Sequence, residues 1–356
     1  MNREKEIFID LKERSYKIEI KRGLLEEIGK KIKKIKEYNK IVIITDENVG
    51  KLYLDRLTRT LRKENFLVYD IIIPASEKSK NLHQAEKIYT DLALYKITRG
   101  DLIITLGGGV VGDLGGFVAS TFLRGIDFIQ VPTSLLSQID SSIGGKVAVD
   151  LPSGKNMVGS FYQPKGVFID PELLKTLPIR YLHDGLGEAI KCGLIRDKKL
   201  FELFENIKDD SEVLERAEEI IFGCCMVKKI MVENDEFDRG DRMILNFGHT
   251  IGHSIEKNYN YETYTHGECV SIGMCEITKI SEKLGLTPKG TADRIKNLLE
   301  KFSLPTTTTL SKEKILEGIS SDKKNFGNKI NLTILKEIGN GEIFKIDSKD
   351  LEKYIV

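Results

Sequence analysis

Net charge is almost absent from this sequence: 55 Lys and Arg face 54 Asp and Glu across 356 residues, a formal +1. Without a surplus of cations the chain lacks the basic surface that a nucleic-acid backbone requires, so no nucleic-acid partner is expected. Cysteine is scarce. The five present (Cys192, Cys224, Cys225, Cys269, Cys275) are odd in number and form no Cys-x-x-Cys pair, which reads as reduced core thiols in a cytoplasmic protein. A long uninterrupted apolar run is also missing. The charged start, Met-Asn-Arg-Glu-Lys-Glu, suits neither a signal peptide nor an anchor, and the longest apolar stretch, Leu102 to Ala119, is broken by Asp113 and by glycines. No membrane span is expected. Internal repeats and low-complexity linkers are lacking too, so any domains should pack closely, with a cleft between them as the default site.

What is present is the balance of a globular protein, 40% hydrophobic and 31% charged, in a chain longer than one core usually serves. Two domains are expected, with boundaries at 1–172 and 173–356. From Lys40 to about Asp170, short β-branched runs (Ile41 to Thr45, Leu67 to Ile73, Asp101 to Thr105, Phe128 to Val131, Val167 to Asp170) alternate with helical patterns at Lys51 to Lys63 and Ser79 to Tyr95. This alternation predicts an α/β domain with a mostly parallel sheet. Phe8 to Leu11 and Tyr16 to Ile20 suggest an extra pair of strands, with a short helix as the alternative. After Pro171 helical periodicity dominates, at Ser211 to Val232, Met243 to Lys257, Glu268 to Leu284 and Thr291 to Phe302. The second domain is therefore expected to be all-helical, apart from a small hairpin that the alternation around Gly339-Asn340-Gly341 permits.

Three features could carry chemistry. Gly107 to Gly116 holds the densest glycine cluster, directly after a strand and opening a helix, where backbone amides can approach a phosphate. A tight strand-to-helix turn is the plainer alternative. Asp140-Ser-Ser-Ile-Gly-Gly-Lys146 and Gly154-Lys155-Asn156 set two lysines and an amide among flexible backbone, suited to phosphate oxygens or simply to a polar hairpin. Finally, three of only five histidines fall close together: His249 and His253, four apart on one helical face, and His266, a set that suits a metal ion or simply capped or solvated core residues. A borderline cation there would want a carboxylate or thiolate as well. Glu188, three residues before Lys191 on one helical face, offers one.

Read together, the motifs resemble the 3-dehydroquinate synthase family of the sugar phosphate cyclases. The resembling segments are Leu106 to Ala119, Phe122-Leu-Arg-Gly125, Gln130 to Leu136, Asp140 to Lys146, Gly154-Lys-Asn-Met157, Glu188-Ala-Ile-Lys-Cys-Gly193, Leu245 to His253 and His266-Gly-Glu268, in the family's order over most of the chain. The resemblance implies an N-terminal dinucleotide-binding α/β domain, a helical C-terminal domain and a homodimer. It implies Zn²⁺, or Co²⁺ in its place, on Glu188, His249 and His266. NAD would lie against Asp46, Glu77, Lys80, Gly109, Val110, Val111, Gly112, Asp113, Thr133, Ser134, Lys146, Lys155, Leu173 and Thr176. Asp140, Lys146, Asn156, Lys191, Lys228, Arg242, Asn246, His253 and Lys324 would line the substrate pocket, with Arg124 reaching into the partner subunit's site. The implied reaction takes 3-deoxy-D-arabino-heptulosonate 7-phosphate through transient oxidation by NAD, phosphate elimination, re-reduction and intramolecular aldol closure. Rival readings are a cyclase acting on glucose 6-phosphate or sedoheptulose 7-phosphate, a metal-dependent polyol dehydrogenase, and a non-catalytic binding protein. Departures from the family pattern are Asp150-Leu-Pro152 for Asn-His-Pro, Gly187 for Ala, and Ser76 for Gly.

Overall fold

The computed structural model describes residues 4–322 and 329–355. Contacts divide the chain into two compact units, Met1–Leu177 and Pro178–Val356.

In the first unit, strands β1 (Lys5–Ile9), β2 (Tyr16–Ile20), β3 (Lys40–Asp46), β4 (Leu67–Ile73), β5 (Leu102–Gly107), β6 (Asp127–Pro132) and β9 (Gly166–Ile169) form one sheet in the order β1-β2-β9-β6-β5-β3-β4. All neighbours are parallel except the antiparallel pair β1 and β2 at one end. The inner strands are apolar on both faces because both are covered. Ile41 and Ile43 of β3 pack with Leu57 and Leu61 of the helix Asp55–Lys63, whereas their alternating neighbours Val42 and Ile44 pack with Ile88 and Leu92 of the helix Leu82–Leu94. That period of two is the pleat of the strand.

The helix Gly109–Thr121 lies on the second of these faces. Its glycines let it sit close: a Cβ on Gly115 would come 2.4 Å from Thr105 Cγ2, and one on Gly112 would come 2.7 Å from Gln130 Oε1. Much of the cluster is thus a packing device. The glycine-polar segment beyond it becomes a separate antiparallel hairpin, β7 (Lys146–Leu151) with β8 (Gly154–Phe161).

The second unit is helical, closed by an antiparallel hairpin of β10 (Lys329–Glu337) and β11 (Asn340–Asp347) whose turn falls at Gly339. Two expected helices are interrupted. Ser211 to Val232 is split at Arg216 into Asp210–Glu215 and Ala217–Asn234. Met243 to Lys257 becomes a 3₁₀ turn, Asp241–Asn246, and a helix, His249–Asn258. The break is Gly248, whose φ of +79° is left-handed and ends one helical segment before the next starts. The five cysteines are buried and in no disulfide, and no described helix is long and apolar enough to cross a membrane.

Candidate active site

In the first unit the strand order reverses between β3 and β5: the chain leaves β3 for β4 on one side and returns to β5 on the other. Such a switch point opens a crevice at the carboxyl ends of the two strands. Asp46 ends β3, and Gly107 ends β5 just before the helix that starts at Gly109. Asp46 Oδ1 accepts from the backbone N–H of Asn48 (2.8 Å) and Val49 (3.0 Å), which fixes the carboxylate at the strand's end. Val110, Val111 and Gly112 follow in the first turn of the helix, and the Thr133 N–H donates to the Gly107 carbonyl at 3.0 Å. Ser134 joins its hydroxyl to Ser137 at 3.0 Å. Leu173 and Thr176 occupy the turn Pro171–Thr176, where Thr176 donates to the Leu173 carbonyl.

Lys80 is the buried centre of a charge cluster. Its Nζ lies 3.2 Å from Glu77 Oε1, 3.2 Å from Asp113 Oδ2 and 3.8 Å from Asp150 Oδ1, while Lys155 Nζ is 3.7 Å from the same Glu77 oxygen. Burial pushes the Asp113 carboxyl up to about 6 despite the attraction of Lys80, because Glu77 and Asp150 share that ammonium and repel a third negative charge. Asp150, noted in the sequence only as a departure, also accepts from the Asn156 N–H at 2.7 Å and so holds Asn156 at its φ of +55°. Asp140 lies in the turn Ser137–Ser141, Lys146 opens β7, and Arg124 stands exposed at the end of the turn Phe122–Arg124.

The second unit holds the donor cluster. Glu188 comes from the helix Ile179–Arg196, His249 from the first position of its helix, and His266 from the first position of the helix His266–Lys283. Nε2 of His249 and Nε2 of His266 each lie 3.5 Å from Glu188 Oε1, and among the described residues these three form one of two groups whose ligand atoms all fall within 4.8 Å. His253, Glu256 and His266 form the other. Glu188 Oε1 is buried with no hydrogen-bond partner, while the buried Lys191 ammonium donates to Oε2. An orphaned carboxylate oxygen facing two imidazole nitrogens suits a divalent cation with one oxygen and two nitrogen ligands.

Electrostatics agree with that donor set. Burial would raise the Glu188 carboxyl, but Lys191, His249 and His266 hold it well below the usual carboxylate range. Burial, with the Lys191 ammonium, keeps His249 well below the usual imidazole range and hence neutral. His266 goes the other way: burial would lower it, yet the carboxylates of Glu188 and Glu256 push it up to about 10. A metal would have to displace that proton.

The other expected residues of this unit lie on the helices Ala217–Asn234 and His249–Asn258 and in the turn Asp241–Asn246. His253, exposed, has its ring centroid 5.2 Å from that of His249 and 5.9 Å from that of His266. Lys228 is buried on the helix Ala217–Asn234, and Arg242 is buried in the turn Asp241–Asn246, donating from Nη1 to the Glu236 carbonyl at 2.7 Å. Asn246 ends that turn, exposed. Lys324 lies outside the described residues. Sequence reasoning missed Asp184, whose Oδ1 accepts from the Gly267 N–H at 2.6 Å, and Glu256, on Nδ1 of His266 at 3.4 Å. For Glu256 a signal existed, since it stands seven residues after His249 and three after His253, on their helical face.

Comparison with known proteins places the chain. The family models for the 3-dehydroquinate synthase N-terminal and C-terminal regions match residues 70–184 and 185–325. The 3-dehydroquinate synthase of Clostridium acetobutylicum is 55% identical over 352 residues, 99% of each chain. A 2-deoxy-scyllo-inosose synthase structure, complexed with carbaglucose-6-phosphate, NAD⁺ and Co²⁺, superposes with a TM-score of 0.88 at 24% identity over 98% of each chain. The 2-epi-5-epi-valiolone synthase of Streptomyces hygroscopicus subsp. jinggangensis, with NAD⁺ and Zn²⁺ bound, gives 0.87 at 23% identity over 96% of each. At those identities the two structures speak for a shared fold. Identity along almost the full length to a curated relative, together with both halves of the family pattern, establishes that this chain belongs to the 3-dehydroquinate synthase family.

Proposed function

We propose that the chain converts 3-deoxy-D-arabino-heptulosonate 7-phosphate to 3-dehydroquinate and phosphate, as an NAD- and metal-dependent carbon–oxygen lyase of the shikimate pathway. One observation carries the assignment of the site: in a chain 55% identical to a named 3-dehydroquinate synthase, Glu188, His249 and His266 meet around an oxygen that has no hydrogen-bond partner of its own. Neighbours with the same fold hold NAD⁺ with Co²⁺ or Zn²⁺, which supports NAD and Zn²⁺, with Co²⁺ as a substitute, as the cofactors here. When bound, NAD would exchange hydride with a ring carbon and the cation would draw electron density from the oxygen on that carbon.

The chain's own residues would divide the remaining work. Residues 1–172 would hold NAD, with Asp46 on a ribose and the helix N-terminus at Gly109 on the pyrophosphate. Glu77, Lys80, Asp113, Thr133, Ser134, Lys146 and Lys155 would complete that site, with the turn of Leu173 and Thr176 beside it. Residues 173–356 would hold the metal and most of the substrate. Lys228 and Arg242 would take the substrate carboxylate, Arg242 through its planar fork. Arg124, Asn156, Asn246 and Lys324 would hold the phosphate, Arg124 from the other copy of a cytoplasmic homodimer. Lys146 and Lys191 would line the pocket, and Asp140 and His253 would carry protons.

The test is incubation with the heptulosonate phosphate, Zn²⁺ and NAD⁺ in catalytic amount. Phosphate should be released without accumulation of NADH absorbance, and the product should be 3-dehydroquinate. Steady NADH build-up would move the assignment to a dehydrogenase. Faster turnover of glucose 6-phosphate or sedoheptulose 7-phosphate, which lack the carboxylate, would overturn the substrate.

A further inference from the structure

Glu256 is a buried carboxylate, 6% exposed, that the reading above leaves without a role. It stands two helical turns beyond His249 on the helix His249–Asn258, so its side chain returns to the face that carries His249 and His253. Its Oε1 lies 3.4 Å from Nδ1 of His266, while Nε2 of the same ring faces Glu188 Oε1 at 3.5 Å. The ring is thus held between two carboxylates, one at each nitrogen.

A neutral imidazole has one nitrogen bearing a proton and one bearing a lone pair. Nε2 can serve as a metal ligand only if the proton sits on Nδ1, and a fixed acceptor beside Nδ1 selects that form and orients the ring. His249 has the same arrangement by other means: its Nδ1 faces the Phe247 carbonyl at 3.1 Å and its Nε2 faces Glu188. Both rings therefore turn Nε2 to the same oxygen because something else engages Nδ1. For His249 the acceptor is backbone, set by the turn at Gly248; for His266 it is a side chain that mutation can remove.

We propose that Glu256 is a positioning residue for the metal centre: its carboxylate keeps the proton on Nδ1 of His266 and presents Nε2 to the cation beside Glu188 Oε1 and His249. This rests on the assignment of Glu188, His249 and His266 as the ligand set. The same carboxylate belongs to the second group, with His253 and His266, whose ligand atoms also fall within 4.8 Å. Positioning and direct coordination are therefore the two roles to separate.

Zn²⁺ titration of the metal-free protein against a competing chelator dye separates them. The wild type should bind one ion. E256A should weaken that binding about 10- to 100-fold, and E256Q, which keeps an acceptor oxygen without the charge, should weaken it less. Unchanged affinity in E256A overturns the proposal. Two ions in the wild type and one tightly bound ion in E256A would make Glu256 a ligand of a second cation and also overturn it. Loss of zinc binding in H249A verifies the ligand set separately; an H249A protein that binds zinc like the wild type refutes the set itself. A measurement on the zinc-loaded wild type needs no variant to fold: ¹⁵N shifts of His266 should show Nδ1 protonated and Nε2 on the metal, and the reverse pattern contradicts the proposal.

Discussion

Asp184 Oδ1 accepts a hydrogen bond from the backbone N–H of Gly267 at 2.6 Å, tying together two helices one residue from His266 and one turn from Glu188. The helices meet there almost backbone to backbone, since a Cβ on Gly267 would lie 2.0 Å from the Asp184 carbonyl oxygen. Gly267→Ala should therefore push the helices apart and lose retained zinc, read as metal content after dialysis. Asp184→Ala should cost about 1–3 kcal/mol in urea unfolding, the usual penalty for orphaning a buried N–H. Asp184→Asn keeps an acceptor oxygen and should recover most of that loss; equal losses in the two variants would contradict the role given to this bond.

Glu188 and Lys191 are both almost fully buried, at 1% and 2% side-chain exposure. Removing one charge of a buried pair is costlier than removing both. Glu188→Gln should thus abolish zinc retention and lower stability by about 3–5 kcal/mol in the metal-free protein. Adding Lys191→Met should restore much of the stability and none of the zinc binding. If the double variant is no more stable than Glu188→Gln alone, the two side chains are not coupled as described.

Asp113 gives a pH dependence with a definite sign. Its folded pKa, about 6, stands above the ordinary value of 3.8, so the folded protein binds this proton more tightly than the unfolded chain. The stability this contributes is full below about pH 4 and is lost as pH rises through 6. Asp113→Asn cannot ionise and escapes that loss. The stability of Asp113→Asn relative to wild type should therefore climb between pH 4 and 6 and level off above, as followed by urea midpoints across pH. A difference that falls over that interval would mean that Lys80 dominates the carboxyl instead.

Lys301 closes the end of a helix that carries none of the donor residues. Its Nζ donates to the carbonyls of Phe204 (2.7 Å), Glu205 (3.0 Å) and Ile207 (2.6 Å), carbonyls that the helix Lys198–Asn206 leaves without helical partners. Lys301→Met should lower stability by about 1 kcal/mol, given the exposure of the site, and leave turnover unchanged. A thermal midpoint equal to wild type would show that water replaces the ammonium at no cost.

Much of this protein could be read from residue order alone. The β-branched runs of β3, β5 and β6 announce a buried parallel sheet, because a strand covered on both faces has no polar side to show. The spacing of His249 and His253 on a helix, and the carboxylate at Glu188, named donors before any fold was in view. The breaks at Arg216 and Gly248 were less legible: apolar periodicity runs on across a single residue whose backbone leaves the helical region.

The sequence by itself determined the class of each half, the family and the chemical types available for the site, since these depend on local pattern and on which residues are present. Only the tertiary structure decided which nitrogen of each ring faces Glu188, that Asp150 joins the Lys80 cluster, and that Glu256 stands behind His266. Such relations are set by how helices distant in sequence cross and by the few ångströms separating their side chains, and no linear spacing encodes them.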